Sequence, residues 1–527
     1  MAEPVRKFKA FPDAYVDSVV QLGATRAMGE EEGVEWAAAA MGTPANLKIV
    51  AEHGFGPDDV GDVSANDCFI AVVAGSDEEA AAAAAAGESA LFGARQRTAG
   101  PDGGGGVAEP APRSMEEGVA ALGPGANVAI VSVPGDYAAI EAHKALTAGL
   151  HVLLFSDNVP VEEEIELKDR AMGLGLLVMG PGAGTAMLGG TGLGFANVVG
   201  HDPDRPGVGV VAAAGTGAQE AMALLDRWGA RVTNVIGVGG RDLSEAVGGR
   251  MARLAVRALR DDPDTDAVLL VSKPPAETAA KAVLAEAGGD MPVVASLIGL
   301  ASPIPVPQGV RLATTLEGGV TATLDVLGLP RPKPAKGLRA AVKRAGAGLA
   351  PERTLIRGLY SGGTLCYEAL VILTELLGPV YSNTPLRKEW GLPAPSGSHV
   401  CLDLGEEEYT KGQPHPMIDP EARLELIRSE GADPEVGVVL LDVVLGYGAH
   451  TDPAGRLAPV CAEIHAGGRG PVVVAYVLGT DHDPQRLDAQ RATLAEAGCL
   501  VAPTGARAAL AAAALATRKP KLVKHLP

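Results

Sequence analysis

Residues 210–229 read VVAAAGTGAQEAMALLDRWG, and the fold turns on how this stretch is read. Five small or branched apolar residues run without polar interruption, as in a strand buried on both faces of a parallel sheet. Gly215, Thr216 and Gly217 follow as a tight turn, and apolar residues then recur at helical spacing up to Trp228. The same order of strand, glycine turn and helix returns in GLYSGGTLCYEALVILTELLG, residues 358–378, and in LLDVVLGYGAHTDPAG, residues 440–455. Strands alternating with helices imply βαβ units. Their right-handed crossovers gather strand C-termini and helix N-termini along one edge, where ligands bind.

Each turn is expected to offer backbone N–H groups and the positive end of a helix dipole to an anion. The residues concerned are Gly215, Thr216 and Gly217; Ser361, Gly362, Gly363 and Thr364; and Gly446 and Gly448, with His450 close behind. A single such turn reads equally well as a plain βα connection. Three in succession favour phosphate or carboxylate binding. None is a Walker A loop, since no Gly-Lys-Ser/Thr follows, and none is a dinucleotide fingerprint in its proper setting.

Working outward, the apolar runs NVAIVSV, HVLLFS and LGLLVMG place a Rossmann-type domain at 114–200, and further runs place flavodoxin-like domains at 207–328 and 354–515. Residues 1–94 read as a small ferredoxin-like α+β domain, with strands near Ala14–Leu22, Val34–Met41 and Asp67–Ala74. The Gly/Pro-rich stretch 95–113 and the basic stretch 330–353 read as linkers.

A formal net charge of −20 argues against nucleic acid as a partner. No run of about 20 apolar residues offers a membrane span. The N-terminus lacks the apolar core of a signal peptide. The five cysteines form no C-x-x-C pair, so reduced thiols in the cytoplasm are expected. No His/Cys/Asp grouping has metal-ligand spacing, so no metal site is expected.

These strings carry a resemblance. VGVVAAAGTGAQEAMALL, VIGVGGRDLSEAVGG and DDPDTDAVLLVS resemble the second domain of the succinyl-CoA synthetase α subunit. Residues 127–188, with the turn Gly180–Pro181–Gly182, resemble the later half of its CoA-binding domain. GGTLCYEA, HVCLDLG and LGYGAH resemble the carboxyl domain of the β subunit. The extra N-terminal domain, with YVDSV at 15–19, MGTPAN at 41–46 and GQPHPMIDP at 412–420, is similar to the FdrA family.

The resemblance implies an acyl-CoA synthetase-like protein. For some FdrA-type subunits it implies an oxamate carbamoyltransferase of allantoin breakdown, in which oxalurate and phosphate interconvert with oxamate and carbamoyl phosphate. Three departures bear on mechanism. There is no ATP-grasp domain; residues 301–319, where the family's phosphorylated histidine would stand, hold no histidine; and VSKPPAE replaces a glutamate-bearing turn. Direct transfer without a phosphohistidine needs orientation and fixed dipoles.

The expected catalytic residues are His450, His415 in its Pro-flanked loop, and Lys273. Each also reads as a surface or structural residue. Ser132, Pro134 and Gly135 join the expected binding set through the CoA-domain resemblance. Asp419 reads as an N-cap before Pro420, Cys366 as a small buried apolar residue, and Asp442 as structural. No cofactor is fixed, with CoA and Mg²⁺ left open. Expected partners are a small carboxylate, phosphate or an acyl phosphate, within a hetero-complex or homo-oligomer. Three functions stay open: carbamoyl transfer, an acyl-CoA synthetase subunit needing an ATP-grasp partner, and a non-catalytic scaffold.

Overall fold

The computed structural model describes residues 4–14, 16, 18–98, 112–300, 304–410, 414–465 and 470–526. The chain divides into two units, Met1–Pro110 and Ala111–Pro527.

The first unit holds β1 (Val5–Phe11), α1 (Ser18–Gly29), β2 (Val34–Met41), α2 (Pro44–Glu52), α3 (Pro57–Val60), β3 (Cys68–Ala74) and α4 (Asp77–Thr98). Its sheet runs β1-β3-β2, with both outer strands antiparallel to β3. The first strand is thus Val5–Phe11, not a strand near Ala14–Leu22. The basic run VRKFKAF is strand because Phe8 stacks on Phe69 at 5.1 Å and Phe11 meets Phe92 edge-on at 4.9 Å. The Val19–Val20 doublet that suggests a strand lies in α1, where Gln21, Ala24 and Met28 are buried at helical spacing. Helix α4 runs on through Thr98, into the stretch read as linker.

The second unit opens with α5 (Met115–Leu122), β4 (Val128–Val131), α6 (Gly135–Thr147), β5 (His151–Leu154), α7 (Val161–Leu174) and β6 (Val178–Met179). These make a parallel three-stranded sheet, β4-β5-β6. The chain then forms the hairpin β7 (Thr185–Leu188) and β8 (Thr191–Gly194), followed by β9 (Gly207–Ala213), α8 (Gly215–Arg227), β10 (Arg231–Gly237), α9 (Arg250–Asp261), β11 (Ala267–Ser272), α10 (Glu277–Glu286), β12 (Val293–Leu297), β13 (Val310–Ala313) and α11 (Leu316–Val326).

The second sheet runs β13-β12-β11-β9-β10-β7-β8. Its parallel part has the flavodoxin-like 2-1-3-4-5 order, and β7 adds to it antiparallel. Residues 185–194 therefore belong to this sheet, across the expected joint at 201–206. β9 is buried at every position, which explains its unbroken apolar run.

Helix α12 (Leu338–Ala345) lies in the basic stretch 330–353, which is therefore not a bare linker. Leu338 and Val342, four residues apart, are buried, while Arg339, Lys343 and Arg344 stay exposed. The chain continues through β14 (Leu355–Tyr360), α13 (Gly363–Leu377), β15 (Val380–Tyr381), β16 (His399–Asp403), α14 (Glu407–Thr410), α15 (Glu421–Ala432), β17 (Val436–Val444), α16 (Pro453–His465), β18 (Val472–Leu478), α17 (Leu487–Glu496), β19 (Leu500–Ala502) and α18 (Gly505–Ala516). This sheet, β15-β16-β14-β17-β18-β19, is parallel and repeats the 2-1-3-4-5 order beyond a short extra edge strand.

One apolar core joins the two flavodoxin-like sheets. It includes Ala221 and Leu225 of α8, Val320 of α11, Leu370 of α13 and Leu510 of α18. A second core joins the other face of the β9 sheet to the β4-β5-β6 domain. Among the described residues, no helix is long and apolar enough to cross a membrane.

Candidate active site

The first turns of α8 and α13 meet. The Thr364 N–H donates to Thr216 Oγ1 at 3.2 Å. A Cβ at Gly217 would lie 3.0 Å from Thr364 Cγ2, and one at Gly362 would lie 2.8 Å from Thr216 Cγ2. Glycine at each position leaves room for the threonine side chain of the other turn.

The two turns differ in what they leave open. At α13, buried Asp442 on β17 accepts from Ser361 N–H (2.7 Å), Ser361 Oγ (3.0 Å) and Gly362 N–H (2.7 Å). Arg423, itself buried, holds this carboxylate. Its Nη2 donates to Asp442 Oδ1 at 3.1 Å, to Asp442 O and to Leu359 O. With Thr364 N–H given to Thr216, much of the expected phosphate cradle at 361–364 is filled by the protein's own groups.

The first turn of α8 has no side-chain cap. Among the described residues, nothing accepts from the N–H groups of Gly215, Thr216 or Gly217. A Cβ at Gly215 would meet nothing within 4 Å. The turn opens on a narrow cleft of about 10 Å³, lined by Gly182–Thr185, Ala212, Ala214, Gly215, Gly237, Gly239 and Gly240. Nearly all of its lining is backbone or methyl, so its polar surface consists chiefly of peptide groups.

The third turn does not run straight into a helix, because α16 begins at Pro453. Gly446 and Gly448 serve close packing instead. A Cβ at Gly446 would sit 2.6 Å from Phe195 O, and one at Gly448 would sit 2.7 Å from the Phe195 ring. The N–H of Gly446 goes to Gln485 Oε1 and that of Tyr447 to Ala196 O. His450 gives its N–H to Met417 O, while its Nδ1 accepts from Asp452 N–H at 3.0 Å.

His415 stands on the other side of Met417, accepting its N–H at Nδ1 (3.2 Å). This leaves the ring proton on Nε2. Burial, the dominant cause, lowers the pKa of His415 to about 4, so the ring is neutral. Its Nε2 lies 2.6 Å from where a Cβ of Gly405 would sit, and Asp403 Oδ1 and Ser361 O are each 3.2 Å from that point. Lys273, at the end of β11, has Nζ 5.9 Å from the Tyr367 ring centre and acts electrostatically on Asp403. His415, Lys273 and the 361–364 turn are thus brought to one neighbourhood.

Gly135 begins α6 behind Pro134. A Cβ there would run 2.5 Å from Asp157 O. Gly135 thus packs against the 157–158 loop, and among the described residues Ser132, Pro134 and Gly135 share no hydrogen bond with the paired turns. Asp419 Oδ1 accepts Glu421 N–H at 3.1 Å at the start of α15. Cys366 is fully buried, and burial pushes its thiol well up.

Two acids gain a role from the structure, of which the sequence reading placed Glu368 on the helix after Gly363 and passed over Glu220. Glu220 and Glu368 each lie four residues beyond Thr216 and Thr364, on α8 and α13, and both are buried. Glu368 Oε1 accepts Leu316 N–H at 2.6 Å, capping α11 from the opposite sheet. Glu220 accepts from Tyr476 Oη at 2.5 Å. Burial raises Glu220 to about 7 and Glu368 to about 8. The repeated Thr-x-x-x-Glu spacing is visible in the sequence and was its only signal.

Comparison with known proteins adds the following. The CoA-ligase family model matches residues 359–515, and a model described as "AllF, heavy metal-associated domain" matches residues 5–107. The chain is 36% identical to "Uncharacterized protein YahF" of Escherichia coli K12, over 95% of this chain and 96% of that one. It is 28% identical to the succinate–CoA ligase [ADP-forming] α subunit of Aquifex aeolicus, over 38% of this chain and 65% of that one. It is 31% identical to the ADP-forming sulfoacetate-CoA ligase subunit SauD of Bilophila wadsworthia, over 28% of this chain and 50% of that one.

The residues of the first unit do not fit a heavy metal. Residues 1–112 contain one cysteine, Cys68, and one histidine, His53. Cys68 is buried in the core that α1 and α4 share with one face of the sheet. His53 stacks on Trp36 at 4.0 Å, and Trp36 packs with the core on the other face. Its Nδ1 is bonded to Ile49 O. The two soft ligands cannot meet at one ion, and no group of three ligating side chains stands among the described residues.

Proposed function

Because this chain belongs to the FdrA family of CoA-ligase-like proteins, we propose that it transfers a carbamoyl or acyl group to and from phosphate at the first turn of α8. The observation that carries this reading is the uncapped Gly215–Gly217 turn opening on a cleft walled by backbone. Three N–H groups and the helix dipole would hold a phosphoryl oxygen, and fixed donors cost no reorganisation as charge develops. Residues 301–319 hold no histidine to carry a phosphoryl group, which favours direct attack of phosphate on the carbamoyl carbon of an oxalurate-like substrate.

The match of residues 359–515 to the CoA-ligase family favours a second reading, an acid–CoA ligase subunit working with an ATP-grasp partner. Phosphate release separates the two. Carbamoyl phosphate with oxamate is assayed beside ATP, CoA and succinate, with and without the neighbouring gene products. Gly215→Glu is the informative variant, since its side chain enters open space, whereas Gly363→Glu would collide with Asp403. Oxamate-dependent release that Gly215→Glu abolishes supports carbamoyl transfer; release with ATP and CoA alone overturns it.

A further inference from the structure

The end of β16 carries a carboxyl group placed unlike any other at the paired turns. Asp403 is 2% exposed. Asn383 fixes its backbone from both sides, accepting the Asp403 N–H and donating to its carbonyl, each at 2.9 Å. Oδ1 accepts Gly405 N–H at 3.1 Å. Oδ2 lies against Gly363, where an added Cβ would run into it. Among the described residues, no donor reaches Oδ2. Asp442, on β17 across the intervening β14, is the opposite case, with both oxygens bonded and a guanidinium beside it. One carboxylate organises the turn through its hydrogen bonds, and the other is left with a bare oxygen facing the first residue of α13.

We propose that Asp403 is the proton-carrying catalytic residue of this site, giving its proton to the leaving nitrogen as the carbamoyl group passes to phosphate. The proposal rests on the transferase reading. A P–O–C bond forms as the carbamoyl C–N bond breaks. The departing nitrogen takes the proton of Asp403, and the proton lost by the phosphate hydroxyl restores it. Phosphate and oxalurate thus become carbamoyl phosphate and oxamate with no net gain or loss of protons. The reverse reaction uses the same carboxylate as base.

The surroundings suit this role. Burial is the main influence and raises the Asp403 pKa to about 6. Lys273 from β11 opposes the rise, while Glu406 on its own loop and Asp442 from β17 support it. His415 is neutral and Cys366 on α13 is a protonated thiol, so neither adds charge. A group titrating near working pH transfers protons in both directions most effectively.

The test uses the full chain with its neighbouring gene products. Asp403→Asn is expected to lower kcat by roughly 10²–10⁴-fold, the usual range for a general acid, with KM within about threefold. With phosphate and oxalurate as substrates, the fall of wild-type rate as pH rises through about 6 should vanish in this variant, and Asp403→Glu should restore part of the rate. In parallel, ¹³C-carboxyl aspartate NMR should show one resonance titrating near that pH, absent in Asp403→Asn and moved by oxamate. Unchanged kcat, or an unchanged pH profile, overturns the proposal. If wild type turns over neither substrate set, the transferase reading fails and this proposal with it. Turnover with a resonance that oxamate does not move overturns the role of Asp403 alone.

Discussion

The Thr216 hydroxyl accepts the backbone N–H of Thr364 at 3.2 Å, tying together the first turns of two helices that serve different sheets. Thr216→Val should leave that N–H without a partner at a buried junction and destabilise the protein by about 1–3 kcal/mol. Thr216→Ser should keep the bond and most of the stability. Urea unfolding of the three proteins checks this, and equal midpoints for Val and Ser would remove any role for the bond.

Asp442 and Arg423 form a buried pair whose members also bond backbone groups. Asp442→Ala should cost about 3–5 kcal/mol, because it strands a buried guanidinium. The double variant Asp442→Ala with Arg423→Met should recover part of the loss. Denaturant midpoints measure both, and a double variant no better than the single would show that hydrogen bonds to Ser361 and Gly362, not charge, set the cost.

Glu220 and Glu368 make stability depend on pH. Their folded pKa values, about 7 and about 8, lie above the ordinary 4.5. Between these limits the folded state holds protons that the unfolded chain has shed. Stability therefore falls as pH rises from about 4.5 to about 8, by an amount on the order of a few kcal/mol at about 1.4 kcal/mol per unit. Glu368→Gln should raise Tm over wild type at pH 8.5 and change it little at pH 5. Calorimetry at the two pH values decides, and a gain of equal size at both would contradict the assignment.

The N-terminal unit should bind no thiophilic ion. Full-length protein purified without a metal-affinity step should carry well under one equivalent of copper or zinc by mass spectrometry. EDTA should leave its Tm unchanged. Stoichiometric metal lost in Cys68→Ala would reverse this conclusion.

The strands and helices around Gly215 and Gly363 were legible because each is a local event. An apolar run, a glycine turn and a periodic helix lie within twenty residues. The use made of those turns was not. Asp442 reaches Gly362 across 80 positions, so nothing near Ser361 announces that its N–H is already engaged. Gly446 and Gly448 look like a ligand loop, yet they admit Phe195, which is far away in sequence. The first strand was missed because its charges suggested solvent and its two phenylalanines were too few to outweigh them. The stretch 330–353 hid a helix, because two apolar positions among basic ones suffice when α18 supplies the other side.

The two flavodoxin-like domains complete each other. Glu368 supplies the acceptor for α11 from the β14 sheet, and Glu220 of the β9 sheet accepts from Tyr476 of the later domain. Thr504 and Arg507 of the later domain close on Glu317 of the earlier one. Synthesis runs in one direction, so α11 emerges 52 positions ahead of the side chain that completes it. The earlier domain must wait, unfinished, on the ribosome for its twin. A chain cut at residue 330 should be a chaperone client and not a stable half-protein, and the two domains should melt in a single transition.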